Sequence, residues 1–126
     1  MAAHGAVAKR ARVAYESTVM TSDPVKKPER PLLEAARLGV LTVDGAMGTQ
    51  LYERGVLYSS CFEDLNLSRP ELVKKVHEDY LRAGAQVLET NTFGANAMRL
   101  EKHNLSGKVR EVNVAAVRIA REAAQG

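Results

Sequence analysis

Two short polar segments hold the residue types best suited to binding a small charged molecule. The first is Asp44-Gly45-Ala46-Met47-Gly48-Thr49 and the second is Glu89-Thr90-Asn91-Thr92-Phe93. A turn with two glycines that leads into a helix presents bare backbone N–H groups, which can bind a carboxylate with help from the helix dipole. Asp44 places a negative charge beside those groups, which favours a zwitterion with an ammonium group over a phosphate. The segments therefore predict a site for an amino acid.

Each of these residues also has a purely structural interpretation. Gly45 and Gly48 fit an ordinary turn, because two glycines at this spacing are a weak signal. Glu89 fits a cap or an ion pair inside the fold, and the polar residues after it fit the pairing of backbone groups at a strand end. Phe93 fits a hydrophobic core. Position in the fold must decide between these interpretations.

The sequence offers little for metal or thiol chemistry. Cys61 is the only cysteine, so the chain builds neither a disulfide framework nor a local zinc motif. His4 lies in a basic tail, His77 lies within a helix pattern, and His103 lies near a helix end. None forms a ligand pair with Cys61 at a recognised spacing, and we expect Cys61 to be a small buried hydrophobic residue.

Apolar spacing and capping signals predict five helices separated by turns. Ser68-Arg69-Pro70-Glu71 matches a capping box with proline in the first turn, and Gly84 provides a left-handed stop for the helix that follows. That helix has the apolar residues Val73, Val76 and Tyr80, and the last helix has Val109, Val112, Ala116, Val117 and Ala120. Residues 56–67 have no sustained period and predict a loop. The five helices are expected near 31–38, 49–54, 70–83, 96–103 and 108–124.

Two apolar runs predict buried parallel strands. Residues 40–43 (VLTV) are short, β-branched and nearly continuous in apolar character, and residues 85–93 (AQVLETNTF) carry their polar residues at the carboxyl end. With the helices between them, the runs predict an α/β fold, the amino-terminal portion of a (β/α)8 TIM-type barrel or of a doubly wound sheet. In both, ligands bind at the carboxyl ends of the strands, where the two polar segments lie.

Composition and charge exclude several classes of protein. The chain has 126 residues, of which 45% are hydrophobic and 26% are charged, as in globular proteins. The formal charge of +3 belongs to residues 1–39, because residues 40–126 hold equal numbers of acidic and basic side chains. We therefore expect residues 1–30 to be a flexible basic tail with a Pro-rich linker, and residues 31–126 to form the domain. No nucleic-acid or membrane partner is expected, and the location is expected to be cytoplasmic.

Three blocks of sequence resemble the homocysteine S-methyltransferase family over about residues 38–125. They are VDGAMGTQLYERGV, CFEDLNLSRPELVKKVHEDYLRAGAQVLETNTFGANAMRL and VREVNVAAVRIAREAA, in the family's order. The resemblance is greatest to cobalamin-type methionine synthases and to bacterial proteins that join this module to a methylenetetrahydrofolate reductase. It implies a (β/α)8 barrel in which residues 44–49 and 89–93 line the homocysteine pocket.

The resemblance also implies chemistry that these residues do not supply. Family members transfer a methyl group to zinc-bound homocysteine and yield methionine, with zinc held by three cysteines late in the barrel. This chain ends before them, so we expect no catalytic residue and no metal ligand in it, and no activity from it alone. Methyltetrahydrofolate and methylcobalamin are candidate donors. The alternative function is a non-catalytic binding or assembly module that needs a partner to complete the barrel.

Overall fold

The computed structural model describes residues 32–126, in which the regular structure is helical. The predicted tail and linker at residues 1–30 lie outside this range. Within it, no helix is long and apolar enough to cross a membrane. The elements are α1 (Leu32–Leu38), α2 (Met47–Glu53), α3 (Leu65–Ser68), α4 (Pro70–Arg82), α5 (Ala97–Glu101), a 3₁₀ turn (Ser106–Lys108) and α6 (Val109–Ala123).

The two predicted strands lie side by side and run parallel, but they do not form regular strands in residues 32–126. Val43 and Val87 make an isolated parallel bridge. The Asp44 N–H donates to the Val87 carbonyl at 3.0 Å, and the Val87 N–H donates to the Thr42 carbonyl at 3.2 Å. Val40 is 94% exposed, so within the described residues the first run has too few neighbours to extend the ladder. The predicted pairing direction is confirmed and the predicted strand extent is wrong, so the (β/α)8 barrel stays a prediction.

The helix α4 begins and ends as the sequence predicts, but its cap differs. Pro70 occupies the first turn, and Gly84 has a φ of +103°, the left-handed conformation that glycine adopts without strain. The predicted capping box is wrong, because the Ser68 hydroxyl donates to the Asp64 carbonyl at 3.1 Å instead of capping α4. That bond belongs to α3, a four-residue helix that begins within the predicted loop 56–67 and ends at Ser68. Its buried Leu65 joins the core, which explains why a helix forms there.

The core lies where α4 packs against α2, α3 and α6. Its buried members are Leu51, Val56, Leu65, Val73, Val76 and Ile119. The predicted stripe on α6 is confirmed at Val112, Ala116 and Ala120 but is wrong at Val117, which is 41% exposed. Val117 follows Val112 by five positions, or roughly 140° around a helix with 3.6 residues per turn. Ile119 takes the buried place.

Arg54 ties α2 to α4 at the edge of this core. Its guanidinium donates to the Asp79 carboxylate at 2.6 Å and to the Gln50 carbonyl at 2.8 Å. Asp79 also accepts from Arg82 on its own helix. The Arg54–Asp79 pair is about one quarter exposed, so its contribution to stability is on the order of 1 kcal/mol or less. The pair holds α4 in place relative to α2, and α4 carries the side chains that contact the first polar segment.

Candidate functional site

The parallel bridge brings the two polar segments of the sequence together. The Glu89 N–H donates to Oδ1 of Asp44 at 3.0 Å, which joins residues 45 positions apart. The carboxylate of Asp44 is thereby fixed at one oxygen, and its side chain is only 3% exposed. The end of the first segment and the beginning of the second thus form one edge of a cavity.

Ten of the eleven predicted site residues line this cavity, whose volume is about 640 Å³. They are Asp44, Gly45, Ala46, Met47, Gly48, Glu89, Thr90, Asn91, Thr92 and Phe93. Thr49 does not line it and lies exposed on α2. Two further groups of lining residues were not predicted from the sequence. They are Tyr58, Ser60, Cys61, Phe62 and Glu63, and the trio Arg99, Lys102 and His103. Helical spacing could have found the trio, since positions three and four apart share a helix face.

The cavity carries charges of both signs. Asp44, Glu63 and Glu89 supply carboxylates. Arg99 and Lys102, which follow the second polar segment in the sequence, supply cations. The Arg99 guanidinium lies 5.2 Å from the ring centroid of Phe93, within the range of a cation–π contact. Phe93 is 88% exposed, so it is not a core residue of the described part. A lining with both charge signs matches a zwitterion better than an anion.

Helix α4 supports the first segment through His77 and Tyr80, which lie three positions apart on one face. Nδ1 of His77 is 3.9 Å from Oδ2 of Asp44, and the imidazole is completely buried. Burial lowers the pKa of His77 below its ordinary value, and the nearby Asp44 carboxylate only partly opposes that shift. The Tyr80 hydroxyl donates to the Ala46 carbonyl at 3.2 Å. The helix position of His77 was predictable from the sequence, but its proximity to Asp44 was not.

The glycines of the first segment make room for aromatic side chains. A Cβ at Gly45 would lie 3.0 Å from the Tyr80 hydroxyl oxygen, and one at Gly48 would lie 3.2 Å from the Phe62 ring. Neither glycine has a positive φ. These residues are therefore selected by close packing rather than by left-handed turn geometry.

The second segment is anchored by an amide pair and a carboxylate. The Asn91 side chain donates to the Phe62 carbonyl at 2.7 Å and to Oδ1 of Asn66 at 3.1 Å, while the Asn66 side chain donates to the Asn91 carbonyl at 2.8 Å. The Gly94 N–H donates to the Glu63 carboxylate at 2.6 Å. These bonds fix the segment against residues 62–66.

Cys61 is half-buried beside Glu63. It packs against a smaller apolar cluster whose buried members are Ala95, Leu100 and Val112. The thiol lies 3.6 Å from the Glu63 carboxylate. Burial raises the pKa of the Cys61 thiol, and the charge of Glu63 raises it further. A protonated thiol is a poor nucleophile and a poor metal ligand.

The residues described here do not fit a zinc ion. Between residues 32 and 126, no group of three or more His, Cys, Asp or Glu side chains is arranged to hold a metal. His77 faces Asp44, and burial raises the pKa of the Cys61 thiol, which disfavours the thiolate that a metal would need. No step of the chemistry is therefore assigned to a metal held by these side chains.

Comparisons with known proteins agree on one family. The family model described as homocysteine S-methyltransferase matches residues 41–126. Methionine synthases from Mycobacterium leprae and Mycobacterium tuberculosis are 39% and 35% identical to the chain, and each match covers 74% of this chain and 8% of the relative. The solved homocysteine methyltransferase MmuM from Escherichia coli, in its metallated form, matches with a TM-score of 0.66 and 29% identity. That match covers 76% of this chain and 35% of the solved one.

Proposed function

Because this chain belongs to the homocysteine S-methyltransferase family, we propose that it supplies part of a site that binds homocysteine for methylation to methionine. The observation that carries the proposal is the cavity at the meeting point of the two polar segments, with carboxylates and cations in its lining. Homocysteine is a zwitterion at neutral pH, so its two charged ends find partners of both signs there. The chain spans 8% of the length of the methionine synthases it resembles. That the protein takes part in the complete methyl-transfer reaction is therefore also proposed.

Within the cavity, we assign the ammonium group of homocysteine to Asp44. The side chain of Asp44 is shielded from solvent and has one oxygen, Oδ2, that the Glu89 N–H does not occupy. A charge-assisted hydrogen bond to such a carboxylate is about twice as strong as a neutral one. The amino-acid carboxylate is assigned to the backbone of residues 45–48, and residues 89–93 line the rest of the pocket.

Further parts of the proposal rest on the family resemblance. They are a (β/α)8 barrel, a thiol activated by zinc held outside the described residues, and a donor such as methyltetrahydrofolate or methylcobalamin. Zinc would supply a thiolate, the form that attacks a methyl group. A fused methylenetetrahydrofolate reductase module is proposed on the same ground, and a cytoplasmic location is proposed from the composition of the sequence.

Calorimetric titration with L-homocysteine tests the assignment of Asp44. We expect Asp44→Asn to weaken binding about ten- to a hundredfold, since a charged hydrogen bond contributes about 1.5–3 kcal/mol. The asparagine keeps an oxygen for the Glu89 N–H, so the cavity edge should survive. Glu111→Gln on the exposed face of α6 is the matched control and should bind as the parent does.

Two results would contradict the proposal at different levels. Equal affinity of Asp44→Asn and the parent would show that Asp44 does not hold the ammonium group. No binding of homocysteine by the parent protein would overturn the proposed function itself. Binding without methionine formation from any of the donors in the intact protein would favour the non-catalytic module.

A further inference from the structure

His77 is a buried polar residue that the proposed site does not yet use. Its side chain is completely buried on α4, and in the described part of the chain neither ring nitrogen has a hydrogen-bond partner. A buried polar atom without a partner costs about 1–3 kcal/mol, so an apolar side chain would serve packing better. Such an atom in a folded protein calls for a specific explanation.

Within residues 32–126, the carboxylate of Asp44 lies close to this imidazole. Nδ1 lies 3.9 Å from Oδ2, about 1 Å beyond hydrogen-bond distance. Oδ1 of the same carboxylate already accepts the Glu89 N–H at 3.0 Å. The carboxylate of Asp44, which belongs to a residue that lines the cavity, is therefore held at Oδ1, while Oδ2 lies toward His77.

A neutral donor suits this place better than a cation. A lysine or arginine beside Asp44 would neutralise the carboxylate and compete with the ligand's ammonium group. Burial keeps His77 in its neutral form, which donates one N–H without adding a charge. Catalytic and binding hydrogen bonds are often long in ligand-free proteins and tighten when the ligand is bound.

We propose that His77 is a positioning residue that donates its Nδ1–H to Oδ2 of Asp44 when homocysteine binds, and so aims the carboxylate at the ammonium group. The inference rests on the proposed function, because it names a supporting residue of the same site. A positioning role and a packing role for His77 predict different effects on ligands with and without an ammonium group. Loss of the His77 donor affects ligands that carry an ammonium group and spares those that lack one.

Two ligands and three variants test this distinction in the intact protein. The ligands are L-homocysteine and 4-sulfanylbutanoate, which keeps the thiol and carboxylate but has no ammonium group. We expect His77→Leu to weaken homocysteine binding about tenfold and to leave 4-sulfanylbutanoate within about twofold of the parent. His77→Asn should restore homocysteine binding, since its side-chain amide lies where Nδ1 lies. His77→Gln places its amide near the Nε2 position and should not restore it.

The possible results distinguish failure of the proposed role of His77 from failure of the proposed homocysteine binding. Equal weakening of both ligands in His77→Leu would indicate a packing role and overturn the inference. Unchanged homocysteine affinity in that variant would also overturn it, while leaving the proposed function intact. Failure of the parent to bind homocysteine would overturn the proposed function, and the inference with it. If near-ultraviolet circular dichroism shows that His77→Leu does not fold, equal homocysteine affinities in His77→Asn and His77→Gln would overturn it.

Discussion

At the scale of single residues, the glycines of the first polar segment have packing partners that the sequence alone does not identify. The sequence offered a turn or a close approach to a ligand as reasons for Gly45 and Gly48. In the structure, Gly45 contacts Tyr80 of α4 and Gly48 contacts Phe62. Both partners are distant in sequence, so no local pattern identifies them. Most residues that line the cavity were predictable from the strand ends, but the side chains that support them were not.

Gly45→Ala should loosen the support of the first segment. The added methyl group would lie 3.0 Å from the Tyr80 hydroxyl and displace it from the Ala46 carbonyl. We expect a loss of about 1 kcal/mol of unfolding free energy, measured by urea denaturation. Gly39→Ala is the control and should be neutral, because a Cβ there meets nothing within 4 Å. Tyr80→Phe combined with Gly45→Ala should cost less than the sum of the single changes, and additivity would show that the two residues do not interact.

Cys61 should alkylate slowly, because burial and the Glu63 carboxylate raise the pKa of its thiol. At pH 7 the thiolate fraction is then smaller than that of a free cysteine. Glu63→Gln removes the neighbouring charge and should increase the rate of reaction with iodoacetamide, whereas Glu53→Gln on α2 should not. A rate in the Glu63 variant equal to or below that of the parent would contradict this account.

At the scale of elements, the longer helices were predictable, whereas for the strands only the parallel pairing was. A helix forms its hydrogen bonds within itself, so the apolar period and the stop at Gly84 located α4 to within a few residues. A strand needs a partner, and Val40 to Val43 meet only one neighbouring segment within the described residues. The helix α3 escaped prediction because four residues are too few to show a period.

Side-chain truncations on α6 distinguish the buried face in the structure from the stripe predicted by sequence. Ile119→Ala removes a core side chain that is 5% exposed and should cost about 2–5 kcal/mol of unfolding free energy. Val117→Ala removes a side chain that is 41% exposed and should cost less than about 1 kcal/mol. Urea denaturation of both variants gives the comparison. A larger loss at Val117 would place the buried face where the sequence pattern put it.

At the scale of the whole molecule, acid should destabilise the fold through His77. Its pKa is lowered in the folded state, whereas in the unfolded chain it has its ordinary value near 6.5. As the pH falls below about 6.5 the unfolded chain binds more protons, so the unfolding free energy decreases, by at most about 1.4 kcal/mol per pH unit from this group. Urea denaturation between pH 7.5 and pH 5 should show a shallower decrease in His77→Gln than in the parent. Equal slopes would mean that His77 is not the group responsible.

Within the described residues, the two polar segments are joined by the isolated bridge between Val43 and Val87, so we expect the geometry of the site to depend on how often this bridge is closed. Asp44 and Glu89 are joined directly beside this bridge, and a pairing with so few backbone hydrogen bonds can open without unfolding the helices around it. The apparent affinity for a ligand is then the intrinsic affinity reduced by the closed fraction. Amide hydrogen exchange at Asp44, Val87 and Glu89 would report the opening directly, and a ligand held at Asp44 should slow the exchange of all three together.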